Sequence, residues 1–544
     1  MLGCDLRTAD RYLALGGDPI IADYEKEPFS LVRFSVATPK GGLNGRLVTW
    51  DEIQHGKSAE GAFVLLPSGL FPTDKAVVPA LNAGAVGIIS GTVAAPDHEG
   101  DSVHWANNFS ETNSWYVNEG ERPFVGFSVS PNTLKKLEDA AAKGTVMLKA
   151  ETDGHRYIGE MPAVTALVKG ESDREFWVLA HTGEPLEDDN SAGVISSVHS
   201  LILIRDAVKS GRLPKLKYSV RVIFTPELYG FAAFADHFGV PLHERCIGAI
   251  CVDGMPICPE HDAVTLQFAP ANIPFFGNVL LEAVWEDYNK TVMMPPFVTS
   301  WWDHLGDDCF MCDRSVGLPT VMPEYAVRLY WHNSNQRLGY VDYEKFARVC
   351  AVYTAYIAGV AAYDKNALEK LLTKAVVYAE KRLCEAADTA PPRSGTDAEE
   401  RMRYLTEIEL SKLRAFRDTG VSENAIESAC KAIQDYVNLL SPVRSAEKEP
   451  SPVFDSTASV VPLRTSVGVP HDFARVPLER RHRPFILNLM GRIFSAMDGK
   501  KSLARLIIEA EWAERAAWSE GQIADFIDTL KLMDEFGYIK ILKL

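Results

Sequence analysis

The sequence predicts an α/β fold in which buried strands alternate with helices, and three observations support this prediction. From residue 155 onward, apolar runs of strand length alternate with segments of helical periodicity. Several of these strands end in an acidic or imidazole side chain, as is typical of the carboxyl edge of an open α/β sheet. The chain has 544 residues, 47% of them hydrophobic. This length is too great for a single hydrophobic core of ordinary size, so several domains are predicted.

The N-terminal part of the chain precedes this series. Residues 1–34 are predicted to form a short helix and an extended stretch. Residues 35–154 alternate strands such as GAFVLLPSGLF and RPFVGFSVS with helical segments. In SPNTLKKLEDAAAKG, Ser130 is a helix N-cap signal and Gly144 a stop signal. This segment is therefore predicted to be a compact module of its own, rich in β-strands.

Residues 155–385 form the main α/β series. One helix is predicted at SAGVISSVHSLILIRDAVKSG, and an acidic or imidazole group stands at the end of each major strand. The strands and these groups are REFWVLAHT with His181, LKYSVRVIFTPE with Glu227, CIGAICVDG with Asp253, and LPTVMPEYAVRLYWHN with His332. Carboxyl ends of parallel strands meet at one edge of a sheet, so we expect these groups to converge.

The C-terminal third has a different character. Residues 386–440 are predicted to be helical, and residues 441–479 are rich in Pro and Ser and are predicted to be a linker. Residues 480–544 show three helical segments and then a short strand pair, the pattern of a winged helix. From Pro484 on, this tail has 8 basic and 9 acidic residues. DNA-binding winged helices are usually basic, which favours protein docking over DNA binding.

Charge and cysteine content exclude some functions. Lys and Arg number 56 against 73 Asp and Glu, a formal net charge of −17, so nucleic-acid binding and attraction to anionic membranes are not expected. No signal peptide or membrane span is predicted, and we expect a cytoplasmic protein. Nine cysteines do not suggest a disulfide framework. Cys309 and Cys312 form a lone CxxC, for which ordinary thiols are a simpler interpretation than a zinc or redox site.

Five side chains together suggest metal-dependent hydrolysis: His181, Asp189, Glu227, Asp253 and His332. Imidazoles and carboxylates are the usual oxygen and nitrogen ligands of zinc. One further carboxylate is needed as the base that takes a proton from water. Each residue alone has an ordinary structural explanation, such as a helix N-cap for Asp189. Their joint occurrence, in this order and at strand ends, favours the functional interpretation.

At these residues the chain resembles the co-catalytic zinc aminopeptidase family, which includes bacterial leucyl aminopeptidase, glutamate carboxypeptidase, glutaminyl cyclase and the inactive transferrin receptor. The motifs that carry the resemblance are LAHTGEP with His181, DDNSAG with Asp189, VIFTPELYG with Glu227, ICVDGM with Asp253, and RLYWHNS with His332. The resemblance implies a zinc-exopeptidase fold, a mixed central sheet flanked by helices, and one or two zinc ions. In addition, residues 61–90 look like part of an inserted protease-associated domain, found in a branch that also has a C-terminal winged helix.

The chain departs from the family pattern at three places. The usual pair of glutamates is reduced to Glu227 followed by Leu228. We assign Glu227 as general base, which removes a ligand of the second metal; the alternative makes Glu227 a ligand and leaves no base. Gly183 stands where the family has an aspartate that orients the first histidine, and Glu184 is a candidate substitute. WHNSNQRL lacks the usual Thr and Asp after the last histidine.

The resemblance implies hydrolysis of a peptide or amide bond, most simply by an aminopeptidase. Asp307 and Asp308 are candidates for binding the free substrate amine. Tyr330 and Trp331, with the run 301–304, are candidates for the pocket wall, and core packing is the alternative. Two other functions stay open: an inactive binding relative, and a glutaminyl-cyclase or amidase type of zinc enzyme. Further partners would be a second copy of the chain or a protein docked on the winged-helix tail.

Overall fold

The computed structural model describes the chain apart from short gaps. The ranges that it describes are 2–5, 10–13, 20–107, 109–112, 116–258, 263–291, 298–303, 307–325, 330–468, 470, 473–477, 480 and 489–543. The chain divides into two compact units. The first comprises residues 1–161, 327–340 and 471–483, and the second comprises residues 162–326, 341–470 and 484–544.

The first unit contains eight strands and three helices among its described residues. The strands are β1 (Leu2–Asp5), β2 (Asp10–Leu13), β3 (Leu43–Thr49), β4 (Phe63–Leu65), β5 (Gly87–Ser90), β6 (Val125–Ser128), β7 (Met147–Glu151) and β8 (His155–Ile158). The helices are α1 (Trp50–Gln54), α2 (Asp74–Asn82) and α3 (Pro131–Lys143).

Six of these strands form one sheet in the order β2-β7-β3-β4-β5-β6. Strands β3 to β6 run parallel, whereas β7 is antiparallel to both of its neighbours. Apolar side chains form two cores in this unit, around Phe127 and around Phe109. The predicted cap of α3 is confirmed, because Ser130 accepts a hydrogen bond from the Thr133 N–H and Gly144 follows the last helical residue.

The second unit carries the remaining elements. Its strands are β9 (Val164–Val168), β10 (Glu175–Thr182), β11 (Ser219–Pro226), β12 (Cys246–Cys251), β13 (Ala263–Phe268), β14 (Val298–Asp303), β15 (Thr320–Tyr325), β16 (Val460–Arg464) and β17 (Ile539–Lys543). Its helices are α4 (Ser191–Lys209), α5 (Tyr229–Phe238), α6 (Gly277–Thr291), α7 (Tyr343–Ala362), α8 (Lys365–Ala387), α9 (Ala398–Arg414), α10 (Glu423–Val437), α11 (Pro452–Ser456), α12 (Leu489–Ser495), α13 (Leu503–Glu514) and α14 (Glu520–Glu535).

A mixed sheet of seven strands, in the order β14-β13-β15-β12-β10-β11-β9, is the centre of the second unit. Strand β10 is parallel to both neighbours, β11 and β12, and β9 closes the sheet as an antiparallel edge. Residues 175–181 of β10 are all buried, as expected of a parallel strand covered on both faces. The large core includes Trp285, Tyr353 and Tyr356. The carboxyl ends of β10, β11 and β12 therefore lie side by side.

The C-terminal part of the second unit is mostly helical. The segment predicted as a linker includes α11 and β16. Strand β16 pairs antiparallel with β17, so that one strand precedes the three tail helices and its partner follows them. Arg464, at the end of β16, forms an ion pair with the buried Asp313 at 2.6 Å. Among the described residues, helix α4 and the sharply bent pair α7–α8 are apolar and long enough for a membrane span, a test that buried core helices also pass.

Candidate metal centre

Three of the predicted site residues stand at the carboxyl ends of adjacent parallel strands. His181 is the penultimate residue of β10, Glu227 follows β11 directly, and Asp253 follows β12 by two residues. In the sheet, His181 is paired with Thr225, the penultimate residue of β11, which lies two residues before Glu227. The buried parallel strands thus bring an imidazole and two carboxylates to one edge, as the sequence analysis expects.

The distances around His181 define the cluster. Its Nε2 lies 3.0 Å from Asp189 Oδ1 and 3.8 Å from Glu184 Oε2, and its Nδ1 lies 3.8 Å from Asp253 Oδ2. Ligand atoms of His181, Glu227 and Asp253 lie within 4.8 Å of one another, and so do those of His181, Glu184 and Asp189. Two overlapping groups that share His181 could each hold a metal ion.

Asp308 is a further carboxylate at His181 and is completely buried. Its Oδ2 lies 3.3 Å from His181 Nδ1, and its Oδ1 accepts a hydrogen bond of 2.8 Å from the Leu228 N–H. Asp308 and Asp307 are the two residues predicted to bind the substrate amine; the side chain of Asp307 lies outside the described part. Asp308 belongs to a short 3₁₀ helix, Asp307–Cys312, and reaches His181 only through the tertiary fold.

Burial and charge shape the titration of this cluster. Burial alone lowers the pKa of His181, but the neighbouring carboxylates, chiefly that of Asp253, raise it well above its ordinary value. Burial also raises the pKa of Asp253 well above its ordinary value; the charge of His181 opposes the rise and that of Asp189 adds to it. Glu324 of β15, which is not among the predicted site residues, also raises the pKa of Asp253 through its charge. Its only sequence signal is a carboxylate within an apolar run.

One buried atom of the cluster, Asp253 Oδ1, lacks a hydrogen-bond partner among the described residues. Burying a polar atom without a partner is costly, and burying several like charges costs more. A divalent cation would offset both costs, because it binds imidazole nitrogen and carboxylate oxygen and neutralises the surplus negative charge. The donor set therefore fits a zinc ion.

The DDNSAG motif positions Asp189 through the residues that follow it. The Asn190 side chain caps α4 by accepting from the Gly193 N–H, and its Nδ2 donates to Val252 O at 2.8 Å. A Cβ atom at Gly193 would lie 2.0 Å from Asn190 Oδ1 and 2.3 Å from Val252 O. Asn190 is thus the helix cap that the sequence analysis considered for Asp189, and it ties α4 to the end of β12.

Glu227 is presented by a strained turn. Leu228 has φ 56° and ψ −67°, and the Tyr229 N–H donates to Glu227 O at 2.7 Å. This is the rare γ-turn with positive φ, in which a residue with a Cβ is strained. The side chain of Leu228 is buried, and its N–H is held by Asp308. Glu227 itself is half-buried.

The fifth predicted ligand, His332, lies in the first unit with Tyr330 and Trp331. Its ring is stacked 4.2 Å from that of Trp331 and stands 5.2 Å from that of Trp105. Its carbonyl accepts a hydrogen bond of 2.6 Å from the Trp105 N–H. His332, Tyr330 and Trp331 therefore share an aromatic environment, and their predicted roles stay predictions.

The two cysteines of the CxxC motif lie in the protein interior. Cys309 and Cys312 are both buried. The Cys312 thiol donates to Thr320 O at 3.1 Å and accepts from the Thr320 N–H at 3.0 Å. Cys309 packs with Cys251 and Met322.

No known protein family and no curated protein sequence matches this chain. Solved structures do. A peptidase M28 precursor from Shewanella amazonensis SB2B is 18% identical, with a TM-score of 0.51 over 67% of this chain and 83% of its own. BSAP, a zinc aminopeptidase from Bacillus subtilis, is 12% identical, with a TM-score of 0.46 over 67% and 85%. An aminopeptidase from Aneurinibacillus sp. strain AM-1 is 13% identical, with a TM-score of 0.41 over 66% and 85%.

The first of these structures shows that the chain has the fold of M28 peptidases. The predicted mixed α/β fold with a central sheet flanked by helices is confirmed at that level. At 18% identity the likeness concerns the fold alone, since one fold carries many functions.

Removal of metal is the first test of the cluster. We expect a chelator to lower the thermal midpoint of the purified protein and zinc to restore it, because a cation relieves the repulsion among the buried carboxylates. At a free zinc concentration of about 100 times Kd, the stabilisation is about 2.7 kcal/mol. Differential scanning calorimetry measures it, with magnesium as the control ion. An identical midpoint with and without zinc would contradict a metal centre here.

Gly193→Ala tests how α4 is anchored beside Asp189. We expect crowding against Val252 O to lower the free energy of unfolding by about 1–3 kcal/mol. Weakening of the Asn190 cap lowers it by about 1 kcal/mol more. Urea unfolding measures the change. Gly521→Ala in α14 is the matched control, since its nearest contact would be 4.0 Å away and alanine favours a helix. Equal stability of the two variants would contradict the proposed anchoring of α4 by Gly193 and Asn190.

Proposed function

We propose that this chain is a zinc-dependent hydrolase of peptide or amide bonds, and in particular an aminopeptidase. One observation carries the proposal. A buried imidazole and several carboxylates meet at the carboxyl edge of three parallel strands, and Asp253 Oδ1 has no hydrogen-bond partner among the described residues. Perturbed titratable groups at such an edge are typical of active sites. The fold of M28 peptidases is consistent with this chemistry.

We assign His181, Asp189 and Asp253 as zinc ligands and Glu227 as general base. Zinc bound there would polarise the substrate carbonyl and lower the pKa of a water molecule toward ~7. Glu227 takes the proton of the attacking water and passes it to the leaving amine. Its position directly after β11, close to both His181 and Asp253, suits this transfer. The proposed count is one or two ions, and Leu228 leaves the second position poorer in oxygen ligands.

Asp308 is proposed to orient His181. Metal-binding histidines usually donate their second N–H to a carboxylate, which fixes the ring and its tautomer. Gly183 cannot supply that carboxylate, whereas Asp308 Oδ2 lies 3.3 Å from His181 Nδ1. In this proposal Asp189 approaches the ring at Nε2, whereas Asp308 lies on the Nδ1 side, as does Asp253.

The domains predicted for the N-terminal and C-terminal parts of the chain are part of the proposal. We propose that residues 35–154 are a protease-associated-like insert and that residues 480–544 are a winged-helix-like domain for protein docking. Peptides or small amides are the proposed substrates. The eight cysteines whose side chains are described form no disulfide bonds, which supports the proposed cytoplasmic location.

One observation favours a second candidate within the same fold. Glu227 is followed by the buried, apolar Leu228, so in this alternative a single metal and a single glutamate would carry the chemistry. Cyclisation of N-terminal glutamine, or cleavage of a small amide, would suit such a site.

Glu227→Gln separates a base from a ligand. We expect hydrolysis of aminoacyl chromogenic substrates to fall about 10²–10⁴-fold, because the amide cannot accept the proton, while bound zinc is retained. Zinc content by atomic absorption is measured on the same sample, and the exposed Glu244→Gln is the control. Loss of zinc would show that Glu227 is a ligand. Wild-type protein that binds zinc but prefers glutaminyl to leucyl peptides would favour cyclisation, and wild-type protein without zinc would favour an inactive relative.

Asp308→Asn tests the positioning role. The amide oxygen can still accept the Leu228 N–H, so we expect the fold to persist. We expect zinc affinity, measured by competition with a chromophoric chelator, to fall about 10–100-fold. Asp206→Asn, at an exposed carboxylate, is the control and should leave the affinity unchanged. Unchanged affinity in Asp308→Asn would remove Asp308 from the centre.

A further inference from the structure

A basic cavity lies within the second unit, among helices α8, α9 and α13. Its volume is about 50 Å³. The charged side chains that line it are Arg382, Arg401, Glu409, Lys412 and Arg515. Four cations thus face one carboxylate, in a chain whose overall formal charge is −17. The contacts of each charged side chain show which of these positive charges are neutralised.

Two of the four cations are neutralised by neighbouring carboxylates. Glu409 accepts hydrogen bonds from Arg382 at 2.9 and 3.0 Å and from Lys412 at 3.0 Å. Arg382 also donates to Glu282 at 2.8 Å. Burial by itself raises the pKa of Glu409, but Arg382 and Lys412 lower it to about 2. The Glu409 carboxylate is therefore ionised, and both of its oxygens are occupied by these two partners.

Arg401 is buried, 3% exposed, and none of its partners in the described part of the chain is a carboxylate. Its guanidinium donates to Thr389 O at 2.7 Å and to Ala386 O at 3.3 Å. Its Nε has no acceptor among the described residues. Burial lowers the pKa of Arg401, and the positive charge of Arg515 lowers it further. A buried cation beside a second cation is unfavourable unless an anion compensates it.

A second buried donor lines the same cavity. The indole of Trp512 is almost completely buried, and its Nε1 has no acceptor among the described residues. The Arg515 side chain, about half exposed, lies near Glu385 at 3.6 Å. It thus provides a solvent-facing cation next to two enclosed donors. Buried donors are nearly always satisfied by protein, water or ligand.

We propose that this cavity binds a small oxyanion of the size of phosphate or sulfate. Guanidinium groups form strong, charge-assisted hydrogen bonds to such anions. A cavity of roughly 10–15 Å³ already holds one water molecule, so 50 Å³ accommodates a five-atom oxyanion. Arg401 supplies the buried charge, Trp512 a neutral donor, and Arg515 a second cation at the solvent side.

The ligands of this site come from both the helical segment and the C-terminal tail. Arg401 belongs to α9, whereas Trp512 belongs to α13 and Arg515 follows it directly. A bound anion would therefore strengthen the attachment of α13 to α9. The proposed anion site does not depend on the metal centre. If no anion bound there, the proposed hydrolase function would be unaffected.

Calorimetric titration of the zinc-loaded protein with inorganic phosphate, at ionic strength held constant with chloride, tests the proposal. We expect saturable binding of one phosphate and an affinity at least about tenfold lower in Arg401→Gln, because the charged donor is lost. Arg403→Gln is the matched control: it lies on the same helix, its side chain is 66% exposed, and its affinity should equal that of the wild type. Should Arg401→Gln not fold, Arg515→Gln at the exposed side is expected to weaken binding several-fold.

Further arms distinguish the sources of the anion. Glycerol phosphate that binds as tightly as phosphate would assign the site to the phosphoryl group of a larger molecule, whereas binding of phosphate and sulfate alone would assign it to a free ion; both support an oxyanion site. Binding that is equal in the wild type, Arg401→Gln and Arg515→Gln would place phosphate elsewhere, for example on zinc, and would overturn the proposal. An absence of saturable binding to the wild type would do the same.

Discussion

Repulsion among carboxylates buried around the single imidazole of His181 is the constraint on which the second unit depends. The sheet creates it, because β10, β11 and β12 are parallel and end at one edge. The charge cannot spread into water, since His181, Asp189, Asp253 and Asp308 are all buried. A group of this kind is stable when a cation joins it. The buried carboxylates at this edge of the sheet therefore favour a bound cation.

The backbone around the cluster fixes side chains that would otherwise separate. Asn190 closes the N-terminus of α4 and holds the end of β12, which keeps Asp189 beside the imidazole. The γ-turn at Leu228 aims Glu227 at the same place, and Asp308 stabilises that turn by accepting its N–H. Strain at Leu228 and charge at Asp308 are therefore coupled: the carboxylate that faces His181 also holds the turn that presents the proposed base.

The sequence predicts those parts of the site that depend on local pattern. His181, Glu227 and Asp253 follow apolar strands, and strand ends can be identified from hydrophobic runs, so their convergence is predictable. Asp308 is predicted as a candidate for binding the substrate amine, but its contact with His181 is not predictable, since it reaches His181 from a 3₁₀ helix far along the chain. The pairing of β16 with β17 is hidden for the same reason: Pro and Ser in its surroundings suggest a linker, and its partner lies about 80 residues away. Tertiary contacts decide both cases.

Unbalanced buried charge is a better guide to ligands in this chain than net charge. The formal charge of −17 describes mainly a solvated surface, on which pairs such as Arg417 with Glu423 are matched and screened. Among the residues of the second unit that the structure describes, two buried clusters are unmatched in charge, and they have opposite signs. Carboxylates exceed the single imidazole at His181, whereas Arg401 is buried without a carboxylate. Because charge inside a protein is costly in either sign, the sign of each surplus agrees with the ligand proposed for it: a metal cation at the strand ends, and an oxyanion among the helices.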